Sequence, residues 1–282
     1  MILKQLGRTD ERIAAIGLGT WGLGGFSQPD LSSDREAVEA IQHAVELGMT
    51  HIDTAEMYAA GHSEELVGLA AKKFSRDELF IATKVWPTNL SHDKVLSACE
   101  GSLRRLGLRY VDLYMIHWPS SPALIREAMG AMERLVKDGK VRYIGVSNFS
   151  VKELSLAQEA LSRERLVSNQ VEYGLHNREI ERELLPYCER EGITVVAYSP
   201  LGRGRVVHEA SAPRSERGRL LKTIAEKYEK SPAQVALNWA TWKPGVVAIP
   251  KAVKREHLEQ NADSVGWQLD PSDYELLSQG WR

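Results

Sequence analysis

Eight short β-type runs alternate with eight stretches of helical periodicity, and the β-type runs end in polar, titratable or aromatic residues. These two patterns predict an α/β fold, a (β/α)8 TIM barrel. Alternating strands and helices imply parallel strands joined by right-handed crossovers. Eight such units over about 250 residues close into a barrel, and a doubly wound open sheet is the structural alternative. No break in composition suggests a linker, so residues 1–282 read as a single barrel domain.

The first segment, MILKQLGRTDERIAAIGLG, has a turn signal at Gly7 to Asp10 and is expected to form a hairpin across the barrel bottom. Strand one follows in IAAIGLGTW (Ile13 to Trp21). The remaining strands are THIDTA (Thr50 to Ala55), ELFIATKV (Glu78 to Val85), VDLYMIHW (Val111 to Trp118), VRYIGVSN (Val141 to Asn148), LVSNQVEY (Leu166 to Tyr173), ITVVAYSP (Ile193 to Pro200) and GVVAIPK (Gly245 to Lys251). Between them, Asp34 to Gly48 places Ala37, Ile41, Ala44 and Val45 on one helical face, with Gly48 as C-cap. Helical patterns also cover Ser63 to Lys73, His92 to Leu106, Ala123 to Asp138, Val151 to Arg163, Arg178 to Glu191, Leu220 to Lys230 and Ser231 to Trp242. Gly202 to Arg219 lacks apolar periodicity and reads as a long functional or mobile loop.

With 36 Lys+Arg against 38 Asp+Glu, the formal net charge is −2, and 43% of residues are hydrophobic. This is a globular composition, not a disordered one. The near-neutral balance argues against nucleic-acid binding, which draws on a basic excess. No run approaches the ~18 apolar residues of a membrane span, and the N-terminus lacks a signal-peptide pattern. Two cysteines, Cys99 and Cys188, without a CxxC pair suggest neither a disulfide framework nor structural zinc. A soluble cytoplasmic protein is expected.

In a parallel barrel all strand C-termini meet at one mouth, where the site is built. Asp53 with Tyr58 just beyond, Lys84 and His117 arrive there on successive strands. Any one of them alone is more often structural. Together they suit acid chemistry at a carbonyl. A tyrosine has an ordinary pKa of about 10, and the ammonium of Lys84 would lower it. Asp53 would keep Lys84 charged and oriented, and His117 would hydrogen-bond the carbonyl oxygen. No Ser or Cys nucleophile stands beside a base, and no metal-ligand set is apparent. Carbonyl reduction needs a hydride that no side chain supplies, so a nicotinamide cofactor is implied.

The chain resembles the aldo-keto reductases over nearly its whole length. The matching stretches are GLGTW (Gly17 to Trp21), DTAEMY (Asp53 to Tyr58), the strands ending in Lys84 and in His117-Trp118, GVSNF (Gly145 to Phe149), NQVEY (Asn169 to Tyr173), YSPLG (Tyr198 to Gly202) and IPK (Ile249 to Lys251). The resemblance implies NADP(H) bound in an extended conformation without a Rossmann domain. It makes Tyr58 the general acid, tuned by Lys84 and Asp53, with His117 orienting a small-molecule aldehyde or ketone. By the same resemblance Ser147, Asn148 and Gln170 hold the nicotinamide carboxamide and Tyr198 stacks on its ring. Ser199, Pro200, Leu201, Gly202 and the loop beyond run along the pyrophosphate, and Arg203 and Arg205 either touch it or belong to a disordered excursion. Thr20 and Trp21 approach the nicotinamide end, and Trp21, Trp86 and Trp118 wall the substrate pocket.

The adenosine end departs from the family pattern. In KAVKREHLEQN (Lys251 to Asn261), Ala252 stands where Ser is common and His257 where an Arg grips the 2′-phosphate. Lys251, Lys254 and Arg255 still supply positive charge, favouring NADP(H), with NAD(H) as the alternative. Gln260 and Asn261 match the adenine-contacting end. Few residues follow the last helical stretch, DPSDYELLSQ, so Trp281 either folds over the mouth or packs outside it. Two other readings compete with a reductase. One is a cofactor-binding regulatory subunit of the same fold, which could dispense with Tyr58 or Lys84 and would use an N-terminal tether. The other is an aldolase or isomerase with Lys84 as Schiff base, which needs a neutral lysine.

Overall fold

The computed structural model describes residues 1–212 and 214–281; Pro213 and Arg282 lie outside the described residues. Strands β1 (Leu3–Gln5) and β2 (Arg12–Ala14) pair antiparallel. The barrel strands are β3 (Leu18–Gly19), β4 (His51–Asp53), β5 (Phe80–Val85), β6 (Val111–Ile116), β7 (Val141–Ser147), β8 (Leu166–Glu172), β9 (Thr194–Tyr198) and β10 (Val246–Ile249). They pair in parallel in sequence order from β3 to β10. A parallel bridge from Ile16 to Ala248 closes the ring, with Gly17 N donating to Ala248 O at 2.8 Å and Ala248 N to Ala15 O at 2.9 Å.

The run from Ile13 to Trp21 is therefore two elements, not one strand. Its first residues pair in the hairpin and only Leu18–Gly19 pair with β4. The hairpin forms the barrel floor. Leu6 and Ile13 are buried among the inward residues Phe80, Leu113, Met115, Val196 and Val247, so two apolar side chains fill the space that an open barrel end would leave to water. Lys4 ties the hairpin to the loop before β10 by donating Nζ to the carbonyls of Lys243 (2.7 Å) and Val246 (2.8 Å), and also to that of Thr241. Glu11 pairs with Arg142, which also reaches the fully buried Asp112 at 2.8 Å.

The helical layer comprises α1 (Asp34–Glu46), α2 (His62–Ala71), α3 (His92–Leu106), α4 (Pro122–Lys137), α5 (Val151–Ala160), α6 (Leu184–Glu191), α7 (Arg205–Ser211), α8 (Glu216–Lys227), α9 (Pro232–Ala240), α10 (Arg255–Ala262) and α11 (Pro271–Gly280). Capping is local and legible. Ser150 and Ser231 open α5 and α9 with capping boxes completed by Glu153 and Gln234, and Gly107 closes α3 in the left-handed region.

The expected loop from Gly202 to Arg219 is largely helical. It holds α7 and the start of α8, which Ser215 caps by accepting from Gly218 N. In α7 only Val206 and Ala210 are buried, one i,i+4 pair, too few to register as periodicity in the sequence. Trp281 packs outside the mouth. It is buried against the core, with Arg217 over its ring at 5.3 Å. Among the described residues no helix is long and apolar enough to cross a membrane.

Candidate active site

The strand C-termini open into a cavity of about 1030 Å³, at the upper end of the range for small-molecule sites. Its inner end is lined by Asp53, Tyr58 and His117, with Lys84 buried immediately behind Tyr58. Lys84 Nζ donates to Asp53 Oδ1 at 2.6 Å, Thr54 O at 2.8 Å and Tyr58 Oη at 3.4 Å. All three ammonium protons thus have acceptors. The other Asp53 oxygen accepts from Gln170 Nε2 at 2.6 Å. A carboxylate only accepts, so the Gln170 carbonyl oxygen is turned away from Asp53 and toward the cavity that Gln170 lines.

Burial dominates the electrostatics. It pushes the Tyr58 phenol above its usual value, and the nearby Lys84 charge only partly offsets that rise. The downward shift expected from the charge pattern is thereby reversed, because sequence reveals the neighbouring cation but not the desolvation. Burial opposes the Lys84 charge most strongly, but Asp53 and Tyr58 together outweigh it and the ammonium is held above its ordinary value. His117 is pushed down to about 2 by burial and then by Lys84, so its ring is neutral. Its Nδ1 is sealed off without a partner, leaving Nε2 as the ring atom open to the cavity.

The turn after β4 is strained. Ala59 and Ala60 sit at φ 49° and 53°, followed by Gly61 at φ 96°. The left-handed region costs an L-residue roughly 1–2 kcal/mol, and such strain gathers at functional sites. Asn148, Ser199 and Arg203 also have positive φ, and all three line the cavity.

The polar edge of the cavity is a connected network. Ser147 Oγ donates to Gln170 O at 2.9 Å, Asn148 Nδ2 to His117 O at 3.1 Å, and Tyr198 Oη to Asn148 Oδ1 at 3.0 Å. The cap of α5 is Ser150, so Ser147 and Asn148 are not needed there. The apolar end is an aromatic wall. Trp21 meets Tyr58 edge-on at 5.0 Å, and Trp86 meets His117 at 5.2 Å. Trp21 and Trp118 are each 44% exposed at the mouth.

From this end the cavity runs past Tyr198, Ser199, Pro200 and Leu201 to Lys251, His257, Gln260 and Asn261. Several expected residues lie elsewhere. Thr20 is fully buried, its hydroxyl accepting from Ser63 Oγ at 2.9 Å, so it faces the helices and not the cavity. Gly202 is off the wall. Its φ is 59°, and a Cβ there would lie 2.9 Å from His176, so it shapes the turn. Lys254 lines a smaller neighbouring pocket that shares Lys251 and His257. Arg255 points outward and pairs with Glu259 at 2.9 Å. Arg203 lines the cavity, whereas Arg205 does not. Phe26, Met57, Val207 and His208 also line the wall, as do Ser211 and Ala233, and none of these six is a sequence-predicted site residue. Phe26 follows a glycine-rich loop, and Val207 and His208 belong to the unforeseen α7.

The Aldo/keto reductase family model matches residues 15–281. The chain belongs to the aldo-keto reductase family. The reductase is 39% identical over 276 residues to a methylglyoxal reductase of Escherichia coli, covering 96% of this chain and 92% of the relative. Its fold matches a thermostable aldo-keto reductase in complex with the inhibitor epalrestat with a TM-score of 0.93 at 46% identity, covering 99% and 100% of the two chains. It also matches an aldo/keto reductase from Klebsiella pneumoniae in complex with NADP and acetate, with a TM-score of 0.87 at 35% identity, covering 99% and 95%.

Proposed function

We propose that this reductase converts aldehydes or ketones to alcohols with NADPH, reversibly, with Tyr58 as general acid. The observation that carries the reading is the chain of contacts Asp53–Lys84–Tyr58 beside a neutral His117, with Asp53, Tyr58 and His117 lining one deep cavity and Lys84 buried behind them.

The cofactor supplies the hydride. The residues present fit it: a cavity that runs from the tetrad to Asn261, with polar side chains at the inner end and Arg203, Lys251 and His257 along the rest. Gln170 presents a carbonyl oxygen, an acceptor for the carboxamide amine, beside Ser147 and Asn148. The Tyr198 ring would stack on the nicotinamide. Ser199, Pro200, Leu201 and Arg203 would follow the pyrophosphate, and Gln260 and Asn261 the adenine. Lys251 and Lys254 supply positive charge that suits a 2′-phosphate, and the His257 ring lies beside Lys251 on the same wall.

At neutral pH Tyr58 is a phenol with a proton to give. As charge develops on the carbonyl oxygen, the phenol donates to it, and Lys84 at 3.4 Å stabilises the phenolate left behind. Asp53 fixes the ammonium, and Gln170 fixes Asp53. The neutral His117 ring donates from Nε2 to the same oxygen and sets its direction. Trp21, Trp86 and Trp118 exclude water and bound the substrate. The complete tetrad supports catalysis over a regulatory subunit. Lys84 is held charged, which argues against Schiff-base chemistry.

Small 2-oxoaldehydes such as methylglyoxal belong in the first substrate panel, by likeness to the E. coli relative. A cytoplasmic location is part of the proposal; both cysteines are free and buried, which suits a reducing compartment. Substrate-dependent oxidation of NADPH tests the reading. Its absence across aldehydes, ketones and 2-oxoaldehydes would refute it.

A further inference from the structure

Tyr58 and Lys84 are supported from behind by a largely buried polar cluster whose members do not line the cavity. Glu64, on the first turn of α2, is fully buried. Its Oε1 accepts from Thr83 Oγ1 at 2.5 Å, and its Oε2 from Arg105 Nε at 2.6 Å. Thr83 immediately precedes Lys84 on β5. Successive strand side chains point to opposite faces, so Lys84 enters the barrel while Thr83 meets the helices. Arg105, on α3, lies flat against the strained turn after Tyr58. A Cβ on Gly61 would sit 2.5 Å from Arg105 Cδ and 2.6 Å from its Nε.

One carboxylate therefore joins the turn that carries Tyr58 to the strand that carries Lys84. The contact between those two residues, Nζ to Oη at 3.4 Å, lies at the long end of hydrogen-bond distances. A small slide of β5 against α2 would lose it. A buried ion pair is a weak source of stability, since a packed apolar cluster would serve as well. What directional bonds add is a fixed geometry. We propose that Thr83, Glu64 and Arg105 are positioning residues that set the Lys84–Tyr58 distance and hence the strength of the acid. This rests on the assignment of Tyr58 as the acid.

The test uses Thr83→Val, which keeps shape and removes the hydroxyl, Thr83→Ser, which restores it, and Glu64→Gln. Two readouts are taken. One is the single-turnover rate of NADPH oxidation by an aromatic aldehyde alongside the NADPH Kd. The other, without cofactor or substrate, is the 13Cζ resonance of Tyr58 followed upward from about pH 8 as the phenol begins to ionise, assigned by its loss in Tyr58→Phe. We expect Thr83→Val to slow turnover about tenfold or more with NADPH Kd within about twofold of the parent. The pH at which the Tyr58 resonance begins to move should lie above that of the parent. Thr83→Ser should restore both. If Thr83→Val does not fold, Glu64→Gln is held to the same two expectations.

An unshifted onset of that movement and an unchanged rate in a folded variant would overturn the proposal. So would a loss of rate and cofactor affinity in parallel, or a loss that Thr83→Ser fails to rescue. If the parent protein oxidises no NADPH with any carbonyl, the reductase reading fails, while the resonance still decides the network.

Discussion

Replacing Lys84 with Met separates what the ammonium does for folding from what it does for catalysis. Lys84 is wholly buried and Asp53 is 2% exposed. Removing the cation leaves the carboxylate with Gln170 as its remaining side-chain partner. An uncompensated buried charge of this kind costs about 3–5 kcal/mol. The catalytic loss has a different origin. A cation 3.4 Å from a nascent phenolate interacts by about 5 kcal/mol at an effective dielectric of about 20. Loss of most of that slows turnover by about 10³-fold. Adding Asp53→Asn removes the orphaned charge, so the double variant should regain most of the stability and almost none of the rate. Urea unfolding followed by tryptophan fluorescence gives the first quantity and single-turnover NADPH oxidation the second. If turnover recovers together with stability in the double variant, Lys84 acts only through folding and the electrostatic role assigned to it is wrong.

Tyr58→Phe should bind NADPH with the parent's affinity and lose about 10²–10⁴-fold in turnover; retained turnover removes Tyr58 from the acid role. Because burial raises the Tyr58 pKa and lowers that of His117 to about 2, the reduction rate should be flat between about pH 6 and 9. A limb near 6.5 that vanishes in His117→Gln would contradict the neutral imidazole. Stability should fall with acid. His51, fully buried with both ring nitrogens unpartnered, is pushed down to about 4. Its folded pKa lies below its unfolded one, so its stabilisation is full above about pH 6.5 and is lost as pH drops toward 4. The loss is about 3 kcal/mol. A urea midpoint that holds constant from pH 7 to 4 would count against this. At the far end of the cavity, His257→Arg should tighten NADPH severalfold and leave NADH unchanged; equal effects on both would place His257 away from the 2′-phosphate.

The barrel was legible because runs rich in β-branched and aromatic residues, with polar groups at or just beyond their C-terminal ends, alternate with helical stretches, as in β5 with Lys84 and β6 with His117 just beyond it. The tetrad was legible for the same reason, since each member stands at or just after a strand end. Other features depend on tertiary context. Ile13 to Trp21 reads as one strand, but pairing partners decide that only Leu18–Gly19 joins β4. Thr20 precedes a cavity residue and yet faces Ser63, because alternation turns neighbours to opposite sides. The short helix α7 buries only two side chains and carries Val207 and His208 into the cavity without a periodic signature. The sign of the Tyr58 shift follows from burial, which sequence does not report.

The proposed function requires that the cavity bind NADPH and that Tyr58 protonate a carbonyl beside it. The most direct measurement is titration of the purified protein with NADPH and, separately, NADH by tryptophan quenching. An aromatic aldehyde and methylglyoxal are then added while the reduced-nicotinamide absorbance is followed. Saturable quenching, tighter with NADPH, and loss of absorbance once a carbonyl is present are expected. Binding of neither cofactor would contradict the assignment of every strand-end residue, and binding without oxidation of NADPH by any carbonyl would contradict the catalytic role of Tyr58.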